Sequence, residues 1–170
     1  QYAYDGKNRM TTITDPLTGT FRFTYDPMDR RRSLDYPNGT STFYTYDKAY
    51  RLMALATKGS SGSVIDAWTY QYDAVGNRIS KTDMEGKVEG YTYDNVYRLS
   101  EARYGDGTRE TFTYDTVGNR RTRTDESGTS ITYSYDIANQ LLSAGTDTLT
   151  YDANGNMKTK TTPSGTTTMS

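Results

Sequence analysis

The chain has 170 residues, a formal net charge of −1, 17 tyrosines, and neither His nor Cys. That composition excludes disulfides, thiolate metal sites and any catalysis or zinc binding that runs through imidazole or thiol. Near-neutral charge offers nothing to attract nucleic acid, and no apolar run approaches the ~18–20 residues of a membrane span. Only 33% of the chain is apolar, so a core has to be built from tyrosine rings and threonine methyls, both of which favour strands. The chain starts at Gln1 with no visible signal peptide and reads as an excerpt of a longer product.

The sequence repeats, and the repeat organises everything else. Tyr4-Asp5, Tyr25-Asp26, Tyr46-Asp47, Tyr72-Asp73, Tyr93-Asp94, Tyr114-Asp115, Tyr135-Asp136 and Tyr151-Asp152 mark eight units, with the Asp residues 21, 21, 26, 21, 21, 21 and 16 apart. All 17 tyrosines fall on four phases of this repeat: one or three residues before the Asp, or three or ten after it.

From the N-terminus, Tyr2-Ala3-Tyr4 leads into the first turn at Asp5, and Asp15-Pro16-Leu17-Thr18-Gly19 reads as the following hairpin tip. Phe23-Thr24-Tyr25 and Tyr44-Thr45-Tyr46 alternate ring, polar, ring, which is the strand period and puts both rings on one face. Asp35-Tyr36-Pro37-Asn38-Gly39 is the tip between them. Lys58-Gly59-Ser60-Ser61-Gly62-Ser63 is a longer, solvated tip and accounts for the 26-residue step. Beyond it come Tyr70-Gln71-Tyr72, a tip at Asp83-Met84-Glu85-Gly86, Tyr91-Thr92-Tyr93, a tip at Gly105-Asp106-Gly107, and Phe112-Thr113-Tyr114. Asp125-Glu126-Ser127-Gly128 closes that unit, and the short Ala144-Gly145-Thr146-Asp147 connection accounts for the 16-residue step. No apolar 3.6-residue periodicity persists over two turns, so no helix is predicted.

Three residues after the repeat Asp stand Gly76, Gly118 and Gly155, or Asn8, Asp29 and Asn139, all tolerant of positive φ. Tyr50 and Tyr97 occupy the same place and depart from that pattern. Arg9, Arg30, Arg51, Asn77, Arg98 and Asn119 follow immediately. The predicted fold is all-β: tandem antiparallel hairpins of about 21 residues, coiling as a β-ribbon or an open shell segment.

The clear carriers of the pattern are Tyr70-Gln71-Tyr72-Asp73-Ala74-Val75-Gly76-Asn77-Arg78 and Phe112-Thr113-Tyr114-Asp115-Thr116-Val117-Gly118-Asn119-Arg120. This Y-x-Y-D-x-x-G-N/R signature, recurring through essentially the whole chain, resembles the YD-repeat, or Rhs (rearrangement hotspot), family. Members include bacterial type VI secretion effectors, polymorphic toxins, insecticidal toxin complexes and animal teneurins. The resemblance implies a secreted or cell-surface protein of bacterial type whose β-ribbon forms a hollow shell, in the toxins around a C-terminal effector. It also implies a loose link to carbohydrate binding. The autoproteolytic segment of the toxin members has no counterpart, because Asp15-Pro16-Leu17-Thr18-Gly19 lies at an ordinary hairpin tip.

Sixteen strands at ~4.8 Å make a sheet roughly 77 Å wide. Closed into one turn, that sheet has a radius of about 12 Å, against ~13 Å for the radius of gyration of a 100-residue passenger. Residues 1–170 alone are therefore too small to enclose a folded domain and read as a segment of a longer repeat array with no separate second domain.

The repeat Asp residues are expected to accept hydrogen bonds within their own turns, since one structural role repeated eight times is not an active site. Tyr25, Tyr46, Tyr72, Tyr93, Tyr114 and Tyr135 are expected to form one continuous buried ladder, each ring against its counterpart in the next unit. Glu89, Glu101 and Glu110 read as single, solvent-facing acids, and Arg30-Arg31-Arg32 and Arg120-Arg121 as solvated faces with alternate Arg covering rings. Asp152-Ala153-Asn154-Gly155-Asn156 lacks the geometry of an EF-hand loop, and Asn38-Gly39-Thr40 matches a glycosylation sequon.

The functional reading is a non-enzymatic scaffold without cofactor or metal: a wall segment of a secreted shell around an effector. Its partners are neighbouring repeats of this or identical chains, with surface glycans or an effector as further candidates. A surface filament or adhesin built from the same repeats, and a carbohydrate-binding module, are the alternatives.

Overall fold

The computed structural model describes residues 1–169, and among them there is no helix. The strands in chain order are β1 (Tyr2–Tyr4), β2 (Met10–Asp15), β3 (Gly19–Tyr25), β4 (Arg31–Asp35), β5 (Ser41–Tyr46), β6 (Leu52–Lys58), β7 (Val64–Tyr72), β8 (Arg78–Asp83) and β9 (Val88–Tyr93). They continue as β10 (Leu99–Arg103), β11 (Arg109–Tyr114), β12 (Arg120–Asp125), β13 (Ser130–Tyr135), β14 (Leu141–Ala144), β15 (Asp147–Tyr151), β16 (Met157–Thr162) and β17 (Gly165–Thr168). The protein is all-β, and each strand pairs antiparallel with its neighbours in sequence. Seventeen strands appear where eight hairpins predict sixteen, because β17 adds a return strand after the Gly165 turn. Two compact units divide the chain, Gln1–Gly90 and Tyr91 onward.

Every Tyr-Asp junction makes the same five-residue turn. In the first, Asp5 N donates to Arg9 O at 2.9 Å and Asn8 N donates back to Asp5 O at 2.9 Å. The same pair of bonds recurs at Asp26, Asp47, Asp73, Asp94, Asp115, Asp136 and Asp152. Closing this loop requires the fourth residue to adopt a left-handed conformation, and Asn8, Asp29 and Asn139 all do, at φ 61–63°. Tyr50 and Tyr97 do so as well, at φ 66° and 65°, which corrects the expectation that they break the pattern. The hydrogen bonds of the turn outweigh the roughly 1–2 kcal/mol that a side chain costs there. Past each turn the register slips by one residue: Thr24 faces Ser33 while Tyr25 faces Arg31, leaving Arg32 over.

The opposite hairpin ends use the same bonding. Gly39 N donates to Tyr36 O at 3.0 Å and Tyr36 N to Thr40 O at 2.9 Å, and equivalent bonds close the turns at Gly62, Gly86, Gly107 and Gly128.

The strands separate two faces. Phe23, Tyr25, Tyr44, Tyr46, Trp68, Tyr70 and Tyr72 share one face in the first unit, and Phe112, Tyr114, Tyr133 and Tyr135 share one in the second. The other face carries cross-strand hydroxyl pairs, with Thr24 and Ser33 oxygens 2.7 Å apart and Thr113–Thr122, Ser134–Ser143 and Thr150–Thr159 all at 2.6 Å. Burial is thin: Ala102, Ser33 and Thr42 are the buried residues described, and no large side chain is fully enclosed. The ring ladder is therefore half-buried rather than buried.

Two glycines separate backbone from packing cost, because a Cβ on either meets nothing within 4 Å. Gly118 has φ +101° whereas Gly90, in β9, is not in the left-handed region. Gly118→Ala is expected to lower stability in urea denaturation by about 1–2 kcal/mol, and Gly90→Ala to leave it unchanged or raise it by up to ~1 kcal/mol.

Candidate functional site: the seam between repeats

The site most repeated in the molecule begins with the Asp carboxylate. Asp26 Oδ1 accepts Met28 N at 2.9 Å and Arg30 N at 3.0 Å, so one oxygen pins the turn. Asp5, Asp47, Asp73, Asp94, Asp115, Asp136 and Asp152 pin theirs with the same two donors, two and four residues on. The second oxygen then accepts a side chain. Arg9, Arg30, Arg51 and Arg98 each donate Nε to Oδ2 of their own Asp at 2.7 Å. Asn77, Asn119 and Asn156 donate Nδ2 instead, at 2.9–3.1 Å.

Held by its Asp, the guanidinium reaches forward into the next repeat. Arg30 Nη1 donates to Asp47 O at 2.8 Å, Arg51 Nη1 to Asp73 O at 2.9 Å and Arg98 Nη1 to Asp115 O at 3.1 Å. These groups, and that of Arg9, lie over the next repeat's tyrosine: Arg9 over Tyr25 and Arg98 over Tyr114 at 4.7 Å, Arg30 over Tyr46 and Arg51 over Tyr72 at 4.8 Å. The tyrosine answers backwards. Tyr25, Tyr46, Tyr72, Tyr114 and Tyr151 donate their hydroxyls to the carbonyls of Met10, Arg31, Leu52, Leu99 and Leu141 in the preceding repeat, at 2.7–3.0 Å. At Tyr25, Tyr46, Tyr72 and Tyr114 the expected direct ring-on-ring ladder is thus an interleaved one of tyrosine and guanidinium.

These bonds hold the carboxylates ionised. The Arg9 guanidinium, with the Arg9 N–H, lowers the Asp5 pKa to about 2. At Asp47 and Asp94 the backbone N–H of Arg51 and Arg98 is the largest lowering influence, followed by the guanidinium. At Asp26 burial pushes upward, but the Arg30 N–H and guanidinium outweigh it. Burial likewise opposes the lowering by Asn77 at Asp73 and by Asn119 at Asp115. The Asp152 carboxylate, in the stretch weighed for calcium, is taken up by Asn154 N, Asn156 N and Asn156 Nδ2. No group of three or more acids converges as a metal site among the described residues.

Glu89, Glu101 and Glu110, outside the repeat phase, are ion-paired, which corrects their solvent-facing reading. Glu89 accepts Lys81 Nζ at 3.0 Å, Glu101 pairs with Arg103, and Glu110 pairs with Arg123 while accepting the Tyr104 hydroxyl at 2.9 Å. Lys81 also covers Trp68, its Nζ 3.8 Å from the ring centre, and Arg120 lies over Phe112 at 5.1 Å. Sugar stacking needs bare ring faces, and these carry cations.

A family model described as RHS Repeat matches residues 4–41, 72–109 and 114–148, well over half of the chain. The chain belongs to the RHS-repeat family. No curated protein matches it. Among solved structures, this RHS-repeat chain is similar to the crystal structure of TcdB2-TccC3-TEV at 18% identity and TM-score 0.74, over 95% of its own length and 11% of that chain. The crystal structure of TcdB2-TccC3 without its hypervariable C-terminal region gives 17% and 0.74 over the same shares. A Photorhabdus luminescens Tc holotoxin pore carrying a TccC3 mutation gives 16% and 0.64, over 95% and 12%. The RHS repeats here thus span about a ninth of these neighbours, and at such identities the likeness is one of fold.

The seam makes two predictions. Arg98→Lys keeps the charge but loses the planar fork, so it is expected to cost about 1–2 kcal/mol in urea denaturation. Acid titration by circular dichroism tests the carboxylates. The native pKa values of Asp5, Asp26, Asp47, Asp73, Asp94, Asp115 and Asp152 are depressed, so the contribution of these groups is full above the unfolded value near ~4. It is lost as pH falls through the native values, about 2 for Asp5. The fold is expected to hold at pH 4 and to fail between there and pH 2.

Proposed function

We propose that this chain is a wall segment of a secreted RHS-repeat protein, a non-enzymatic scaffold whose full array encloses a C-terminal effector. One observation carries the reading. Where a repeat carries arginine four residues after its Asp, its charged and aromatic groups are committed to their own turn and to the next repeat, as Asp47, Arg51 and Tyr72 show. A catalytic site needs titratable groups whose environments diverge within one concavity. Here the repeat carboxylates are alike: each accepts the same two turn donors, and where a shift is resolved it is downward. On this reading residues 1–170 are part of a longer array, and the surface glycan and filament readings have no comparable support.

The full-length protein tests the proposal. Limited proteolysis is expected to leave the segment following the repeats intact until the array is opened by Asp47→Ala combined with Asp94→Ala. Cleavage of that segment at the same rate in intact and opened protein would favour an open filament.

A further inference from the structure

The seams are not all filled alike: Asn77, Asn119 and Gln140 stand where the others have arginine, and the Asn119 seam opens on a cavity. Where the repeat supplies arginine four residues after its Asp, the guanidinium covers the next tyrosine and binds the next Asp carbonyl. The seam from Asp115 to Asp136 has Asn119 instead. Its Nδ2 reaches Asp115 Oδ2 at 3.1 Å and Asn139 Oδ1 at 2.8 Å, and stops there. Beyond it lies an open hollow of about 420 Å³, lined by Asp115, Asn119, Tyr133, Tyr135, Asp136 and Asn139 among others. No guanidinium lies over Tyr135 among the described residues; the nearest stacked one, Arg120, lies over Tyr133 at 5.6 Å.

Three groups that take up an arginine elsewhere are open here. The Tyr135 ring corresponds to Tyr114, which Arg98 covers at 4.7 Å. The Asp136 carbonyl accepts Asn139 N at 3.1 Å but receives no guanidinium donor among the described residues, whereas Asp115 O accepts both Gly118 N and Arg98 Nη1. Asp136 Oδ1 holds its turn through Ala138 N and Gln140 N, while Oδ2, which elsewhere takes an Arg Nε, has no donor among the described residues. Arg121 also lines the hollow, and two carboxylates, Asp115 and Asp136, stand against its single charge.

We infer that this hollow is a binding site for a guanidinium group supplied from outside the repeat, seated over Tyr135 and bonded to Asp136. A planar fork suits the site better than a point charge, because stacking and two-point hydrogen bonding both need the plane. The size also lies in the usual range for a small-ligand pocket, ~300–1,000 Å³.

The test is an NMR titration of the full 170-residue chain with agmatine, with cadaverine as the matched amine. Saturable shifts centred on Tyr135, Asp136 and Asn139 are expected with agmatine and not with cadaverine. Asn119→Arg fills the seam from within and is expected to abolish them. Arg98→Asn is expected to open a further hollow and to add a further set of shifts at Tyr114 and Asp115. A Gly-Arg-Gly peptide distinguishes the sources: shifts matching those of agmatine assign the site to arginine side chains, and shifts with agmatine alone assign it to small guanidines. If Asn119→Arg fails to fold, Tyr135→Leu replaces it, removing the ring and the binding. Absence of saturable shifts in the unsubstituted chain, equal response to cadaverine, or undiminished shifts in a folded Asn119→Arg or Tyr135→Leu variant would overturn the inference.

Discussion

Everything in this chain depends on a carboxylate bonded to its own backbone. An Asp at the head of a five-residue turn accepts two N–H groups on one oxygen, which fixes the turn without help from a core. A chain that buries almost nothing completely cannot rely on hydrophobic enclosure to select its register. The second oxygen is then left at a fixed height and angle. An arginine four residues on is drawn to it and leaves the turn already aimed at the next repeat. Local order comes first, and contact between repeats follows from it.

The spacing of strands explains why arginine does this work. Equivalent tyrosines in successive repeats lie on alternate strands, about 9–10 Å apart at ~4.8 Å per strand. Stacked or edge-on rings need centroids ~4.5–7 Å apart, so tyrosine cannot reach tyrosine. A flat cation fits the gap, and the guanidinium sits 4.7–4.8 Å from the ring it covers. Its methylene stem covers apolar surface while its head meets the carbonyl. A single sheet whose ring face would otherwise be bare thereby acquires part of the second layer that sheets usually require.

The fold was legible because period, alternation and turn residues all say the same thing, and the Tyr-Asp phase located every turn. Two parts were not. Residue preference argues against a left-handed Tyr50 or Tyr97, but the turn's hydrogen bonds dictate φ at that place whatever residue stands there. Tyrosines sharing a face suggest a ring ladder, but alternate strands lie too far apart for ring to meet ring. The missing signal was present in Arg9, Arg30, Arg51 and Arg98, which recur four residues after Asp. A cation at a fixed phase beside a ring at a fixed phase implies a pair. The pairing of Glu89 and Glu110 is hidden for a related reason: alternation assigns a face, while their cross-strand partners, Lys81 and Arg123, depend on register.

The two irregular steps show which edge of the ribbon is constrained. The tyrosine hydroxyl reaches back 15 residues at Tyr25, Tyr46 and Tyr114, but 20 residues at Tyr72 and 10 at Tyr151. The target is the same carbonyl position each time, five residues after the preceding Asp, and the bonds at Tyr72 and Tyr151 remain 2.9 and 3.0 Å long. The extra residues therefore go elsewhere. They lengthen β6 and β7 to 7 and 9 residues, and the shortfall trims β14 and β15 to 4 and 5. The insertion thus goes into strand length, with the Gly59–Ser63 turn no longer than the others, which corrects the expectation of a longer tip loop, and the deletion shortens strands and tip together, while the Tyr-Asp edge keeps its bonds unchanged. Strands of a sheet built this way can vary in length from one hairpin to the next without opening a seam, because the seam is closed by groups within five residues of the turn.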